Sequence, residues 1–421
     1  MTTDGGATAD GAADGAEDGA ERPLPMRGRV VLDFGSALAG PVCATILGEF
    51  GADVIKVERP GHGDALRTYG PKIDDVPVWW MIEARNKRSI TLDLRSVEGQ
   101  ALARRLIERC DVLVENFRPG TMAGWGLGYE DVARINPRVV YVSVSGFGQT
   151  GPYRSLASYD RVAQAMAGFT YLTGHPEMSP VRPGIGVTDY AAAMVAALGA
   201  MLALYERDAS GTGSGRGQQV DVALYESLLR MYHYHLPVYE RTGRVPERTG
   251  NMGEAMVPAE CFASADAVWL MIAVGSDRTF LALAEAMGRP ELATDERFAG
   301  NAARMGHHEE IHAIVRHWVG QYPAGTVLET LRAAGVPVGQ LYTAADVHAD
   351  PHFRERGSVT TVDDPRLGEV SVQGVVPRLV STPGRIEHTG PTLGQHNNEI
   401  YRDMLGLSAS ELDHYQEKGV V

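Results

Sequence analysis

The chain has 421 residues, enough for about two or three domains, and its 44% hydrophobic and 22% charged content is that of an ordinary globular protein. Its formal net charge of −14 excludes a general nucleic-acid binder, which would be basic. No apolar run reaches the roughly 18 residues of a membrane span.

Residues 1–25 are rich in Gly, Ala and Asp and lack apolar bulk. Such a segment cannot bury enough surface to offset its ordering entropy, so a disordered acidic tail is expected. It has no apolar core of a signal peptide. Order is expected from residue 26. GRVVLDF (28–34) reads as a buried strand, followed by a helix with Pro41 near its start and Gly51 past its end. DVIKVE (53–58), SITLDL (89–94), DVLVENF (111–117) and VVYVSVSGF read as further strands. EGQALARRLIERC and YEDVARINP read as the helices between them. This alternation predicts an α/β fold with a parallel sheet.

DYAAAMVAALGAMLALYER (189–207) is apolar on most faces and predicts a buried helix. QQVDVALYESLL then predicts a strand and a helix. Residues 226–335 read as a smaller α/β domain beside a large one built from 26–225, with FASADAVWLMIAVGS as its hairpin. Residues 336–421 read as a connector and a C-terminal part completing the large domain.

The segment Gly146–Gly168 delivers Asp160 to the start of a predicted helix. N–H groups there lack intrahelical partners and the macrodipole is positive, so a carboxylate is stabilised as the anion. That suits a nucleophile. It equally suits a helix cap, by Asp160 or by Ser158.

Ligands in such sheets bind at the carboxyl ends of the strands. Arg59, Arg67, the pair Lys87-Arg88, and Arg118 lie at these ends or in adjoining loops. Arginine gives planar bidentate contacts to phosphate, so the set can hold a polyphosphate, or else be solvated surface charge. No G-x-G-x-x-G follows the first strand, which argues against ordinary dinucleotide binding. No G-x-S-x-G elbow is present. His307, His308 and His312 read as a solvated helix face rather than a metal site. Cys43, Cys110 and Cys261 have neither metal-ligand spacing nor an even count. A reducing cytoplasm is the expected compartment.

The run VLDFGSALAGPVCATILGEFGADVIKVERPGHGD resembles the opening of the class III CoA-transferases, the formyl-CoA and carnitine CoA-transferase group. The resemblance continues through RNKRSITLDLRSVEG, DVLVENFRPGTMAGWGLGYEDV, SGFGQTGPY, SYDRVAQAMAG and RPGIGVTDYAAAMVAALGAMLAL to PTLGQHN. It implies a Rossmann-like large domain, a smaller domain and an interlocked homodimer. It implies Asp160 as the acyl-accepting nucleophile and CoA contacts at Ala39, Arg59, Asn86, Lys87, Asn116, Phe117 and Arg118. Gly148, Asn251 and Gly253 are candidate oxyanion donors or cover.

The expected substrates are an acyl-CoA and a free carboxylic acid, with no metal and no cofactor beyond CoA. No nucleic acid or membrane partner is expected. The related α-methylacyl-CoA racemases carry histidine where this chain has Tyr159, and a second acid matching Asp189. A phenol of pKa about 10 is a poor base at pH 7, which disfavours racemisation. Asp189 is expected instead to cap or anchor the Ala-rich helix. A non-catalytic CoA-binding protein is the remaining alternative. Leu38 stands where formyl-CoA transferases have glutamine. Met252, Glu254 and Met256 replace their glycine run, which points to an acid bulkier than oxalate.

Overall fold

The computed structural model describes residues 23–253 and 255–421. Most of the expected N-terminal tail and Glu254 lie outside them. Six parallel strands form the main sheet: β1 (Val30–Asp33), β2 (Asp53–Glu58), β3 (Lys87–Thr91), β4 (Val112–Glu115), β5 (Val140–Ser145) and β6 (Gln219–Ala223). Their spatial order is β3-β2-β1-β4-β5-β6, every pairing parallel. This is the doubly wound order, whose direction reverses between β1 and β4. β4 and β5 are buried along their whole length, as continuous apolar runs covered on both faces should be.

Three helices matter most to the site. α1 (Ala39–Glu49) follows β1, α4 (Asp160–Met166) follows β5, and α5 (Val187–Asp208) precedes β6; α2 (Val97–Ile107) and α3 (Tyr129–Ile135) lie between β3 and β5 in the chain. α5 carries alanines at helical spacing: Ala192, Ala196, Ala200 and Ala203 are buried against α1 and the sheet. The approach is close: a Cβ added at Gly199 would lie 2.6 Å from Val220 Cγ1.

The opposite stripe, Met194, Leu198, Leu202 and Tyr205, is exposed. The expectation of a buried helix therefore holds for one face alone, because only its small-residue face fits the sheet. α5 is also the one helix among the described residues long and apolar enough to cross a membrane, with half of its apolar window buried in the fold.

The smaller unit is an antiparallel sheet of β7 (Ala259–Ala263), β8 (Trp269–Ala273) and β9 (Val338–Gln340), ordered β9-β8-β7. Phe262, Leu270, Ile272, Phe280, Ile311 and Val315 fill its core. β9 lies in a segment expected to be a connector, past the boundary at 335. Leu228 packs with Ala167 and Ala191 of the large unit, although it lies beyond the boundary at 225. His312 is buried and its Nε2 accepts the Ala259 N–H at 3.3 Å, so it is not on the expected solvated face.

The chain then returns to the large sheet. The edge strand β3 is sealed by the C-terminal segment: Ser89 N–H donates to His396 Nδ1 (3.0 Å) and Thr91 N–H to Asn397 Oδ1 (2.9 Å). Side chains thus satisfy an edge that would otherwise invite pairing with another strand.

Candidate active site

The reversal between β1 and β4 creates a crevice at the carboxyl ends of these strands. Asn116, just past β4, holds the loop after β1: its Oδ1 accepts the Ser36 N–H and its Nδ2 donates to the Ser36 carbonyl, both at 2.8 Å. Beneath the loop lies a buried charge cluster. Asp33 faces Lys87 Nζ at 2.9 Å and Lys56 Nζ at 3.5 Å, and Asp64 faces Lys56 at 3.1 Å. These two lysines hold the Asp33 carboxyl below its usual range despite its burial.

Two cavities meet at this crevice, both lined by Ser36 and Phe117. The smaller, about 160 Å³, is walled by Arg59, Arg95, Phe117 and Trp125, with the two aromatic rings edge-on at 5.2 Å. The larger, about 1010 Å³, runs past Ala39, Asn116 and Ser145 to Asp160 and Asp189. Ser145 Oγ is buried there without a hydrogen-bond partner. The small chamber offers two arginines and two aromatic rings beside the carboxyls of Glu58, Asp64 and Asp93, and the large one holds two further carboxyls.

The two carboxyls differ sharply in surroundings. Asp160 is the first residue of α4 and does not cap its own helix. Its Oδ1 accepts the Thr188 N–H at 2.9 Å and the Asp189 N–H at 3.4 Å, both in the first turn of α5. Its Oδ2 accepts from Gln164 Nε2 at 2.6 Å. Asp160 therefore closes the N-terminus of a neighbouring helix, against the expectation that Asp189 would anchor it.

Asp189 itself accepts no hydrogen bond among the described residues, while its carboxyl lines the cavity. Burial and, secondarily, the neighbouring Asp160 push its pKa up to about 7.

The other expected site residues divide. Ala39, Asn116 and Phe117 line the large cavity and Arg59 the small one. Arg118 is exposed just past β4 and lines neither.

Lys87 is completely buried, bonded to Asp33 and the Pro41 carbonyl, and is out of reach of a ligand. Asn86 donates to the Arg385 carbonyl (2.7 Å) and accepts the Glu387 N–H (2.8 Å), tying in the C-terminal segment instead of CoA. Arg67 is held by Glu58 through two 2.7 Å hydrogen bonds, and Arg88 pairs with Asp53. Polar residues at strand ends thus proved to be partners of other protein groups.

Gly148 lies away from the cavity wall, beside Asp221; Gly146 is the residue of that turn on the wall. Asn251 donates to Glu260 at 2.7 Å, and neither it nor Gly253 reaches the cavity. Sequence reasoning missed Arg95, Ser145 and Arg182 on the cavity walls, since neither a pattern nor a period marks them.

A model of CoA-transferase family III matches residues 26–397. Succinyl-CoA--D-citramalate CoA-transferase of Chloroflexus aurantiacus is 46% identical over 400 residues, covering 95% of this chain and 98% of that one. Human succinyl-CoA:glutarate CoA-transferase is 31% identical over 398 residues, covering 94% of this chain and 90% of its own. The crystal structure of a CAIB/BAIF family protein from Brucella suis superposes with a TM-score of 0.80 at 34% identity, covering 91% of this chain and 100% of that chain. These matches, over a doubly wound fold with a crevice at its switch point, define an enzyme of the CoA-transferase class. The chain belongs to CoA-transferase family III, and it is a CoA-transferase.

Proposed function

We propose that the enzyme moves CoA from succinyl-CoA, or a similar dicarboxylic acyl-CoA, to a free dicarboxylic acid of the citramalate or glutarate kind. The named activities of the relatives and the size of the large cavity support this reading. We place the nucleophile at Asp189, in revision of Asp160. One observation carries the choice: both Asp160 oxygens are engaged by N–H donors, and those of Asp189 are not. A nucleophile needs a free lone pair aimed into the site.

The Asp189 carboxylate attacks the thioester carbonyl, and the C–S bond breaks to release CoA thiolate, leaving a mixed anhydride. The thiolate attacks the aspartyl carbonyl, giving an aspartyl-CoA thioester and the free donor acid. The acceptor carboxylate attacks that thioester and again displaces the thiolate. The thiolate then attacks the acceptor's carbonyl, forming the new acyl-CoA and restoring the Asp189 carboxylate. Every step is acyl transfer, so atoms and charge balance without a redox partner.

Asp160 sets the first turn of α5 and hence the direction of Asp189. Ser145 Oγ and the backbone around Gly146 are the candidate donors to the developing oxyanion. We further propose a homodimer, supported by the exposed Met194–Leu198–Leu202 stripe, and a reducing cytoplasm as its compartment, supported by three cysteines that form no disulfide.

Asp189→Asn should abolish transfer from succinyl-CoA, by about 10³-fold or more. Asp160→Asn keeps one acceptor, its Oδ1, for the Thr188 and Asp189 N–H groups, loses the acceptor for Gln164 Nε2, and should retain measurable turnover. Full activity in the Asp189 variant would overturn the assignment.

A further inference from the structure

We infer that Arg182 is the receptor for the far carboxylate of the dicarboxylic substrate, and so sets the choice of diacid over monoacid. The inference rests on the reading of the large cavity as the acyl site.

Arg182 lines that cavity with Asp160 and Asp189. It lies in the loop that leads into α5, seven positions before Asp189. Its Nη1 donates to the Pro183 carbonyl at 2.7 Å, and it enters no ion pair among the described residues. A guanidinium has five N–H donors in a planar fork, so most of this one is free for a planar anion.

The rest of the wall explains why a cation is needed. Leu38, Trp79 and Ile185 give the chamber an apolar lining that suits the methylene chain of an acyl group. The two carboxyls at its end repel a second negative charge, and the whole chain carries a net −14. A dianionic acid can enter only against local compensation, and Arg182 supplies it.

The CoA phosphates do not account for this residue. We take the small chamber, with Arg59 and Arg95 beside the Phe117 and Trp125 rings, as the nucleotide end, and it meets the large chamber only around Ser36 and Phe117. Arg161 is a second arginine on the wall with no ion pair among the described residues, next in the chain to Asp160 on α4. We assign the role to Arg182 because it belongs to the loop that enters the Asp189 helix.

The test compares kcat/KM for succinyl-CoA and butyryl-CoA, which differ by the far carboxylate, with one acceptor held constant. Arg182→Gln should lower the succinyl/butyryl ratio by roughly 10- to 100-fold, the worth of a charged hydrogen bond. Arg182→Lys should restore part of it. An equal loss for both thioesters would make Arg182 a CoA-phosphate contact and overturn the inference. So would an unchanged ratio, or a ratio that falls only in Arg161→Gln. Absence of CoA transfer by the wild-type enzyme from any thioester would instead overturn the functional reading itself.

Discussion

Asp189→Asn should stabilise the fold while abolishing catalysis, and the gain should grow with pH. Asp189 has its pKa raised from 3.8 to about 7 in the folded chain, so folding favours the protonated form. The stabilisation held by that form is complete below the unfolded pKa and is lost as pH rises through about 7. Each pKa unit corresponds to about 1.4 kcal/mol, and a shift of about three units gives about 4 kcal/mol. Asparagine has no ionisation to penalise. The variant should therefore exceed wild type by about 1 kcal/mol at pH 4.5 and by about 4 kcal/mol at pH 8. Urea unfolding followed by circular dichroism at the two pH values measures both gaps. A gap that stays constant or shrinks with pH would refute the burial argument. With Asp189 as the proposed nucleophile, the same shift predicts that wild-type kcat/KM rises with pH through about 7.

Two further outcomes follow from the cavity walls. Arg59→Ala should raise KM for the acyl-CoA about 10- to 100-fold with less effect on kcat, because the proposed CoA contact lies in the small cavity, away from Asp160 and Asp189; steady-state kinetics decides it. Gly146→Ala places a Cβ 2.3 Å from Ser158 Cβ and should cost about 1–3 kcal/mol by thermal unfolding, whereas Gly253→Ala meets nothing within 4 Å and should cost far less.

Much of the large domain is legible in the sequence because parallel strands buried on both faces read as short apolar runs. DVIKVE coincides with its strand, and the helix after β1 lies where Pro41 and Gly51 place it. SITLDL (89–94) starts two residues late and ends three late, because β3 begins on Lys87 and Arg88 and stops at Thr91. Their charges are absorbed by Asp33 and Asp53, partners more than thirty positions away that no local pattern reveals. The same long-range pairing misdirects the reading of Lys87 and Asn86 as CoA ligands. α5 shows the limit of periodicity: a helix apolar all round does not reveal which face meets the sheet, and the small size of alanine decides it. At the site, the motif around Asp160 leads to the large cavity, whose wall holds both Asp160 and Asp189. Choosing between its two carboxyls depends on which one the α5 N–H groups engage, and that contact joins residues 28 positions apart.

The central claim is that Asp189 carries the acyl group. The enzyme is incubated with succinyl-CoA alone, the covalent intermediate is trapped with hydroxylamine, and the tryptic peptides are weighed. Cleavage at arginine separates the candidates: Asp160 falls in residues 155–161, and Asp189 in a peptide ending at Arg207. A hydroxamate is expected on the peptide bearing Asp189, with the 155–161 peptide unmodified. A hydroxamate on Asp160, with Asp189 unmodified, would contradict it.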